Sequence, residues 1–588
     1  MLRAVLSSLW LSVANSHQAL DELCMKPSGL NGRMRRRETT ATILLHAAVL
    51  ALCLHWAIPA LAQSIEPSLT NTASLVEVVS EGAELESQGN WRAAVKLYEA
   101  TLKSHPETTE VTKQLKHRVE LCKAQLDIDR RYNDSSYKRS VHQLDLTSSK
   151  AVYREVLSKI DTYFYTMPNW KSLVKNGVWQ LQLAISNTQF QAFYKLTDDT
   201  QRDAAFKQRI DQWLQRREIR NYHDVLFAAE YISRQTQQSY GIPPQTTVLE
   251  MMAGSISLLD RYSSYLTGSE LDDMFSQING NFVGLGVELR ILDKCLLIDR
   301  VIQGGPANQA GIQKGDRIIE VDRKIIPQIA AAAAADMLKG VHDSRVEIVV
   351  VTTDGSVRRM QLTRRRVTVP SVENIKMLDV QAGIGYLRIR SFQKNTAADV
   401  EEALWQLHNQ GMRRLVVDVR SNPGGLVDSA VAVADFFVEK GTIVSTRGRS
   451  VNEDVDYQAH DLGTWDMPLA VLIDSKSASA AEIFAGAIKD HERGKVIGTV
   501  SFGKGSVQGI FPLASYDSGL RLTTARFYSP DGHMISQKGV HPDIEVSTVA
   551  KPLADGTLPV EQVDPILAAG INLLRERKVV SVNRLLDN

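Results

Sequence analysis

Beyond Pro370 the chain repeats one short theme: a strand-length apolar run, a turn, then an amphipathic helix. IGYLRIRSF leads to TAADVEEALWQLHNQG, which closes at Gly411. RRLVVDVR leads to SNPGGLVDSAVAVADFFVE, and PLAVLID leads to ASAAEIFAGAIKDHERG. The second and third apolar runs are continuous and short, the pattern of strands buried on both faces. Strands alternating with helices in this way demand α/β packing, and functional residues in such folds gather where strands end and helices begin.

Two turns occupy such ends. Ser421-Asn422-Pro423-Gly424-Gly425 follows a strand ending in Asp418 and Arg420. Its glycines can bring backbone N–H groups close to a ligand, as an oxyanion hole requires. The spaced glycines and terminal Lys-Ser/Thr of a phosphate-binding loop are missing. Ser479 follows PLAVLID at the mouth of the helix beginning near Ala480, where the helix dipole favours the charge that develops on an attacked carbonyl. By residue type alone Ser475 and Ser477 compete with it.

A serine nucleophile needs a base. His491 stands three turns down the same helix, about 18 Å away at 1.5 Å per residue, which is too far. His541 in GVHPDIEV reads as a turn residue but stays open, and Asp474 or Glu482 could complete a Ser-His-acid set. Lys504 lies between Gly503 and Gly505 in SFGKGSVQ. If buried there, its amine is driven toward the neutral form and can accept the serine proton; if solvated, it is an ordinary surface lysine.

A chain of 588 residues exceeds one ordinary core, so several domains are expected. With 68 basic and 67 acidic residues the net charge is +1, and no basic module points to nucleic acid. The basic run Arg33 to Arg37 precedes an apolar run from Ala41 to Ala62 that ends Ala60-Leu61-Ala62, the order of an export signal cut after Ala62; retention as a membrane anchor is the rival reading. Met34 is a candidate start. Cys122 and Cys295 fall in different domains without a CxxC partner, so no disulfide framework is expected; Cys295, in a strand-like run, reads as a buried structural cysteine with a thiol peptidase as the rival. His223 beside Asp224 has no second ligand at metal spacing and reads as a surface or cap residue.

EGAELESQGNWRAAVKLYEATLKSHP, with small residues at Ala83, Gly89, Ala94 and Ala100, resembles one tetratricopeptide repeat, with a plain helical hairpin as the alternative. A polar spacer is expected near Asn133 to Arg139. Helical patterns then continue to about 268. From Gly280 the period becomes strand-like, and residues 272–365 resemble a PDZ domain: Gly284-Leu285-Gly286-Val287 precedes a strand, and Ala310-Gly311-Ile312-Gln313-Lys314-Gly315-Asp316 follows later. In that likeness the backbone N–H groups of Leu285, Gly286 and Val287 would receive a peptide's terminal carboxylate while the peptide adds as a strand.

VVDVRSNPGGLVDSAVAVA (416–434), VLIDSKSASAAEIFAGAIKD (471–490), GTVSFGKGSVQGIFPL (498–513) and GVHPDIEV (539–546), in this order, resemble the carboxyl-terminal processing peptidases, a family of Ser/Lys serine proteases also called tail-specific proteases. The likeness covers about 245–548. It implies Ser479 as nucleophile, Lys504 as base and Gln508 as the residue orienting the lysine by a hydrogen bond. It also implies oxyanion donors at the Gly425 and Ala480 backbones. Two departures stand out: Ala481 where the family commonly has a third serine, and LDRYSSYL at 259–266 where LDPHSSYL-like wording is usual. Neither is expected to touch a catalytic group.

The expected fold is multidomain: an α/β serine peptidase core with an inserted PDZ-like β-rich domain and an α-helical N-terminal region. The boundaries are a signal sequence with an N-terminal extension (1–62), a helical segment with one TPR-like hairpin (63–140), a helical domain (141–271), the PDZ-like domain (272–365), the peptidase core (366–548) and a C-terminal segment packing on it (549–588). The resemblance implies hydrolysis near the C-terminal tails of exported proteins in the periplasm or cell envelope, without metal or organic cofactor. Substrates would be unfolded or tagged proteins with apolar C-termini. The N-terminal helices are candidates for an adaptor or envelope protein, a homodimer through the helical ends is open, and no nucleic-acid partner is expected. A noncatalytic PDZ scaffold is the alternative, though it leaves the SAS and FGKG turns without purpose.

Overall fold

The computed structural model describes residues 66–105, 110–292, 294–326, 331–460, 463–546 and 564–576. The signal-like segment 1–62 and most of 549–588 lie outside the described residues. Among the described residues no helix is long and apolar enough to cross a membrane. The architecture is multidomain, with a helical N-terminal region, a β-rich PDZ-like insert and an α/β core. Two compact units part between Lys123 and Ala124.

In the first unit, helices Glu66–Ser87 and Trp91–Ser104 are joined by a short turn, and Asn90 caps the second by accepting from the Ala93 N–H. The helices approach closely because a Cβ on Gly82 would lie 2.1 Å from the Tyr98 ring. The Tyr98 hydroxyl donates to Glu86, which also takes a two-pronged bond from Arg118. Leu75, Ala94, Leu115, Val119 and Cys122 complete a small core. Burial pushes the Cys122 thiol up to about 12, so it behaves as an inert structural group.

The second unit opens on a difference from expectation. The polar spacer at 133–139 is mostly a helix, Ser135–Gln143, and the boundary drawn at 140/141 falls inside it. Asp134 caps it, accepting from the Ser136 and Tyr137 N–H groups, while Tyr137 and Val141 turn into the core. Nine residues are too few for a legible helical period. Arg131 and Glu250, both fully buried, form an ion pair, and the Tyr132 and Tyr137 hydroxyls donate to the same carboxylate at 3.1 and 3.0 Å. This network ties residues 131–137 to helix Pro244–Ser257. That helix crosses Trp170–Ser186 at small residues: a Cβ on Gly254 would lie 2.5 Å from the Gln180 Cβ and 2.9 Å from the Gly177 Cα. Just beyond it, Ser264–Thr267 pairs antiparallel with Ser518–Tyr528, so the stretch assigned to the helical domain ends as a strand in a sheet with residues 518–528.

The insert is a sheet in the order Val287–Leu292, Cys295–Val301, Arg317–Val321, Arg345–Val351 and Val357–Thr363, with helix Ala331–Leu338 lying against the first strand. Leu285, Leu296, Ile298, Ile318 and Ile348 fill its core. A two-stranded antiparallel ribbon, Asn281–Gly284 with Arg365–Thr368, carries the chain in and out. Glu288 and Arg300 of the insert meet Glu373 and Arg390 of the core in a charge network with contacts of 3.3 to 3.7 Å.

The core sheet runs Val372–Asp379, Ile384–Ile389, Arg414–Asp418, Leu469–Ile473, Lys495–Gly498 and Ile544–Glu545; the first pair is antiparallel and the rest parallel. Arg414–Asp418 and Leu469–Ile473 are buried at every position, which is why they read as continuous apolar runs. Val400, Leu404, Val433, Ile483 and Phe484 pack on one face. On the other, Ile566 and Leu574 of helix Pro565–Glu576 meet Ile384, Val416, Leu472 and Ile497. A second, antiparallel sheet is built on Ser518–Tyr528, which pairs with Ser264–Thr267, Ser506–Pro512 and Thr442–Gly448.

The glycine crossing generates a test. Gly254→Val is expected to lower stability by about 1–3 kcal/mol through overpacking, read as a lower urea midpoint. An unchanged midpoint would mean that the two helices can move apart freely.

Candidate active site

Ser479 stands between strand Leu469–Ile473 and helix Ala480–Asp490 with φ 57° and ψ −116°. Positive φ is costly for a residue with a Cβ and persists only where the surroundings impose it. The neighbouring serines differ in kind. Ser475 is exposed. Ser477 is fully buried; its hydroxyl donates to the Val419 carbonyl at 2.8 Å and accepts from the Asp474 N–H at 2.9 Å, so it ties the loop together.

What imposes the Ser479 turn is Glu482, three residues on and fully buried. Its Oε2 accepts from the Ser479 N–H at 2.7 Å and from the Lys504 N–H at 2.9 Å. Its Oε1 accepts from the Gly503 N–H at 2.6 Å and from the Ser501 hydroxyl at 2.5 Å. All four acceptor positions of one carboxylate are thereby filled. The Ser501 hydroxyl in turn accepts from the Val540 N–H at 2.7 Å, which draws in the GVHPDIEV segment. Glu482 therefore fixes backbone; none of these partners is a histidine.

The Ser421–Gly425 turn lies against the same point. A Cβ on Gly424, at φ +100°, would lie 2.6 Å from the Ser479 Cβ. Buried Asn422 shapes the turn: its Nδ2 donates to the Ile389 carbonyl at 2.9 Å, its Oδ1 accepts from the Gly424 N–H at 2.8 Å, and its carbonyl accepts from the Ala478 N–H at 2.9 Å. The Gly424 N–H is thus occupied. The N–H groups of Gly425 and Ala480 have no acceptor among the described residues, leaving two donors beside Ser479.

Lys504 is half-buried in the loop after strand Lys495–Gly498. Burial brings its ammonium down to about 8; Arg521 and Arg261 push the same way, and Glu482 and Asp260 oppose them. Its Nζ lies 5.2 Å from the centroid of the Tyr262 ring. The expectation for LDRYSSYL meets a difference here: the departing residues Arg261 and Tyr262 both lie near Lys504, the candidate base, because strand Ser264–Thr267 anchors them to the antiparallel sheet. Ala481 is buried in the core behind the site.

Gln508 differs from expectation too. Its Nε2 donates to the carbonyl and hydroxyl of Ser506, both at 2.9 Å, and no hydrogen bond joins it to Lys504. A register shift between Val507 and Gln508 sits at this position, and such irregularities re-aim a side chain. His491 ends the Ser479 helix, where its Nε2 donates to the Thr442 carbonyl at 2.8 Å. His541 is exposed, and its carbonyl accepts from Lys489 at 2.7 Å. His223 opens a helix and donates through its N–H to the capping Asn221.

In the insert, the Leu285 and Gly286 carbonyls accept from the Ala307 and Ile302 N–H groups, both at 2.8 Å, and Gly286 has φ +79°. The Leu285 and Gly286 N–H groups have no acceptor among the described residues. Val287 begins the edge strand of the sheet, a free template for an added strand.

Sequence reasoning named Glu482 only as the acid of a Ser-His-acid set and gave Asn422 and Tyr262 no role. Glu482 carried a legible signal, since Ser-x-x-Glu before an apolar helix is a capping-box spacing. Asn422 and Tyr262 carried none beyond their place in a turn. Glu482→Gln puts an amide donor among four donors; it is expected to slow phosphonylation of Ser479 by a fluorophosphonate at least about tenfold and to lower stability by about 1–3 kcal/mol. Wild-type labelling in that variant would remove Glu482 from any part in shaping the site.

Residues 383–546 match Peptidase family S41, and residues 274–351 match the PDZ domain. The carboxy-terminal-processing protease of Bartonella bacilliformis is 36% identical over 336 residues, which span 56% of this chain and 76% of that protein. A probable CtpA-like serine protease of Staphylococcus haemolyticus is 33% identical over 298 residues, 50% of this chain and 58% of its own length. The solved photosystem II D1 C-terminal processing protease is 25% identical, covers 71% of this chain and 98% of its own, and has a TM-score of 0.38. With the match extending over three quarters of the Bartonella protein and the PDZ domain set ahead of the core, the chain belongs to peptidase family S41 and is a serine endopeptidase.

Proposed function

We propose that this peptidase cuts exported proteins near their C-terminal tails, with Ser479 as nucleophile and Lys504 as general base. The observation that carries the reading is the Glu482 carboxylate, which holds the Ser479 and Lys504 backbones on one oxygen. Neutral Lys504 takes the Ser479 proton as the oxygen attacks the scissile carbonyl; the oxyanion lies against the Gly425 and Ala480 N–H groups. The lysine then passes that proton to the departing amine, and the same amine activates water to release the acyl group. Gln508 serves as the orienting residue once its amide turns from Ser506 toward Lys504.

The Leu285-Gly286-Val287 loop takes the substrate's terminal carboxylate, and the edge strand from Val287 takes the apolar tail, as PDZ domains do. The Arg33–Ala62 segment supports export to the periplasm or cell envelope. The N-terminal helices would serve an adaptor or a second copy of the chain.

The test is cleavage of an unfolded reporter ending in an apolar free tail by the full-length chain, beside Ser479→Ala and Lys504→Ala. Both substitutions are expected to reduce turnover by at least about a thousandfold. Cleavage that survives Lys504→Ala would shift the base assignment to His541, and cleavage that survives Ser479→Ala would overturn the nucleophile.

Two further outcomes follow from the same chemistry. A lysine base works deprotonated, and Lys504 is brought down to about 8, so kcat/KM is expected to climb with pH through a midpoint of about 8. A profile already flat from neutral pH upward would contradict it. Amidating the reporter's C-terminus is expected to raise KM about tenfold, since one charged hydrogen-bonding group is lost; equal KM values would remove the PDZ loop from tail capture.

A further inference from the structure

Lys504 is anchored through its backbone to Glu482, yet no oxygen among the described residues accepts from its Nζ. The amine lies instead over the face of Tyr262, 5.2 Å from the ring centroid. Arg261 shares that ring, its Nη2 donating to the Tyr262 hydroxyl and its guanidinium lying 4.7 Å from the ring centroid, and the backbone around it is tied down. The Tyr262 and Ser263 N–H groups donate to Asp260 Oδ1 at 2.8 and 2.7 Å. The Tyr262 carbonyl accepts from Arg521 Nε at 2.9 Å, and the Ser263 hydroxyl accepts from the Thr523 N–H at 3.2 Å. Ser264 then pairs opposite Arg521, and Thr523 pairs opposite Gln508 on the other side of the same strand. The backbone at Tyr262 is therefore fixed to the strand that also lies beside the proposed orienting residue.

We propose that Tyr262 is the positioning residue for Lys504, its ring face holding the ammonium between proton transfers to and from Ser479. The inference rests on the Ser479–Lys504 reading. A ring face attracts a cation and has no comparable hold on a neutral amine. The protonated lysine therefore rests on Tyr262; on losing its proton it is released toward Ser479. It takes the hydroxyl proton as the serine oxygen bonds to the carbonyl carbon, and becomes attracted to the ring again until the proton goes to the leaving amine. The charges around the amine make this contact matter. Arg261 on the same turn and Arg521 on the adjoining strand repel the ammonium, Asp260 and Glu482 attract it, and Arg130 stands behind Arg521. The ring is a close contact that favours the charged form without accepting its proton.

The test uses the full-length chain and two readouts over about pH 6 to 10: phosphonylation of Ser479 by a fluorophosphonate, and reporter cleavage resolved into kcat and KM. Tyr262→Phe keeps the ring face and is expected to stay within about twofold of wild type, with its acid limb unmoved. Tyr262→Leu keeps bulk without a face; its kcat is expected to fall about tenfold at little cost in KM, and its acid limb to move to lower pH by about half a unit or more. Fluorinated phenylalanines at 262 change the face and not the shape, so the acid limb should step downward with each fluorine even if the leucine variant folds poorly. An unmoved limb across that series, equal loss in Phe and Leu variants, or a change confined to KM would each overturn the proposal. Lys504→Ala run alongside separates the two readings: labelling that survives it defeats the lysine base itself, whereas loss there with unaffected Tyr262 variants defeats only the positioning.

Discussion

The site depends on one carboxylate. Strands Leu469–Ile473 and Lys495–Gly498 are neighbours, with Ile473 paired to Gly498, so the loops bearing Ser479 and Lys504 start side by side. Gly498 marks the parting: a Cβ there would lie 2.0 Å from the Ile473 carbonyl oxygen. Beyond it the loops leave the sheet's ladder bonds, though the Phe502 N–H still donates to the Ser477 carbonyl at 3.0 Å. Glu482 replaces them, gathering three N–H groups and a hydroxyl from both loops onto two oxygens in a dry interior, where each unmatched donor costs about 1–3 kcal/mol. Removing the carboxylate leaves all four donors unpaired, so the turn at Ser479 and the loop at Lys504 share one support.

Because its lone pairs are taken by backbone, Glu482 offers the lysine amine no hydrogen bond. The amine meets a ring and two arginines instead, in a half-buried place that disfavours charge. Structural and chemical tasks are thus divided: the carboxylate sets where the loops run, and the surfaces above it set how readily the lysine gives up its proton. In the Gly424–Gly425 turn Asn422 likewise occupies the Gly424 N–H, while the Gly425 N–H has no acceptor among the described residues.

Much of the core was legible because buried parallel strands write themselves as unbroken apolar runs, as at Leu415–Val417 and Leu469–Ile473, and because the motif turns sit at their ends. Among the three serines type could not choose; the structure sets their surroundings apart, since Ser475 is exposed and Ser477 spends its hydroxyl on Val419 and Asp474. What could not be read were contacts made across long separations. Tyr262 reaches Lys504 only because Ser264–Thr267 joins a strand more than 250 residues on, and such pairings leave no local trace. The helix Ser135–Gln143 was hidden for the opposite reason: it is nine residues long and its buried face includes Ser136 and Ser140, so its apolar period rests on Tyr137 and Val141 alone.

The ribbon that carries the PDZ domain has a further meaning. Asn281–Gly284 and Arg365–Thr368 run side by side in opposite directions, so the chain leaves the peptidase and returns to it about one strand spacing apart, close to 5 Å. For the peptidase, the whole insert therefore amounts to an elongated hairpin loop. A module attached in this way can be lost or exchanged for another of different size without altering any strand order in the core, which makes substrate recognition and bond cleavage separable units of inheritance within one polypeptide.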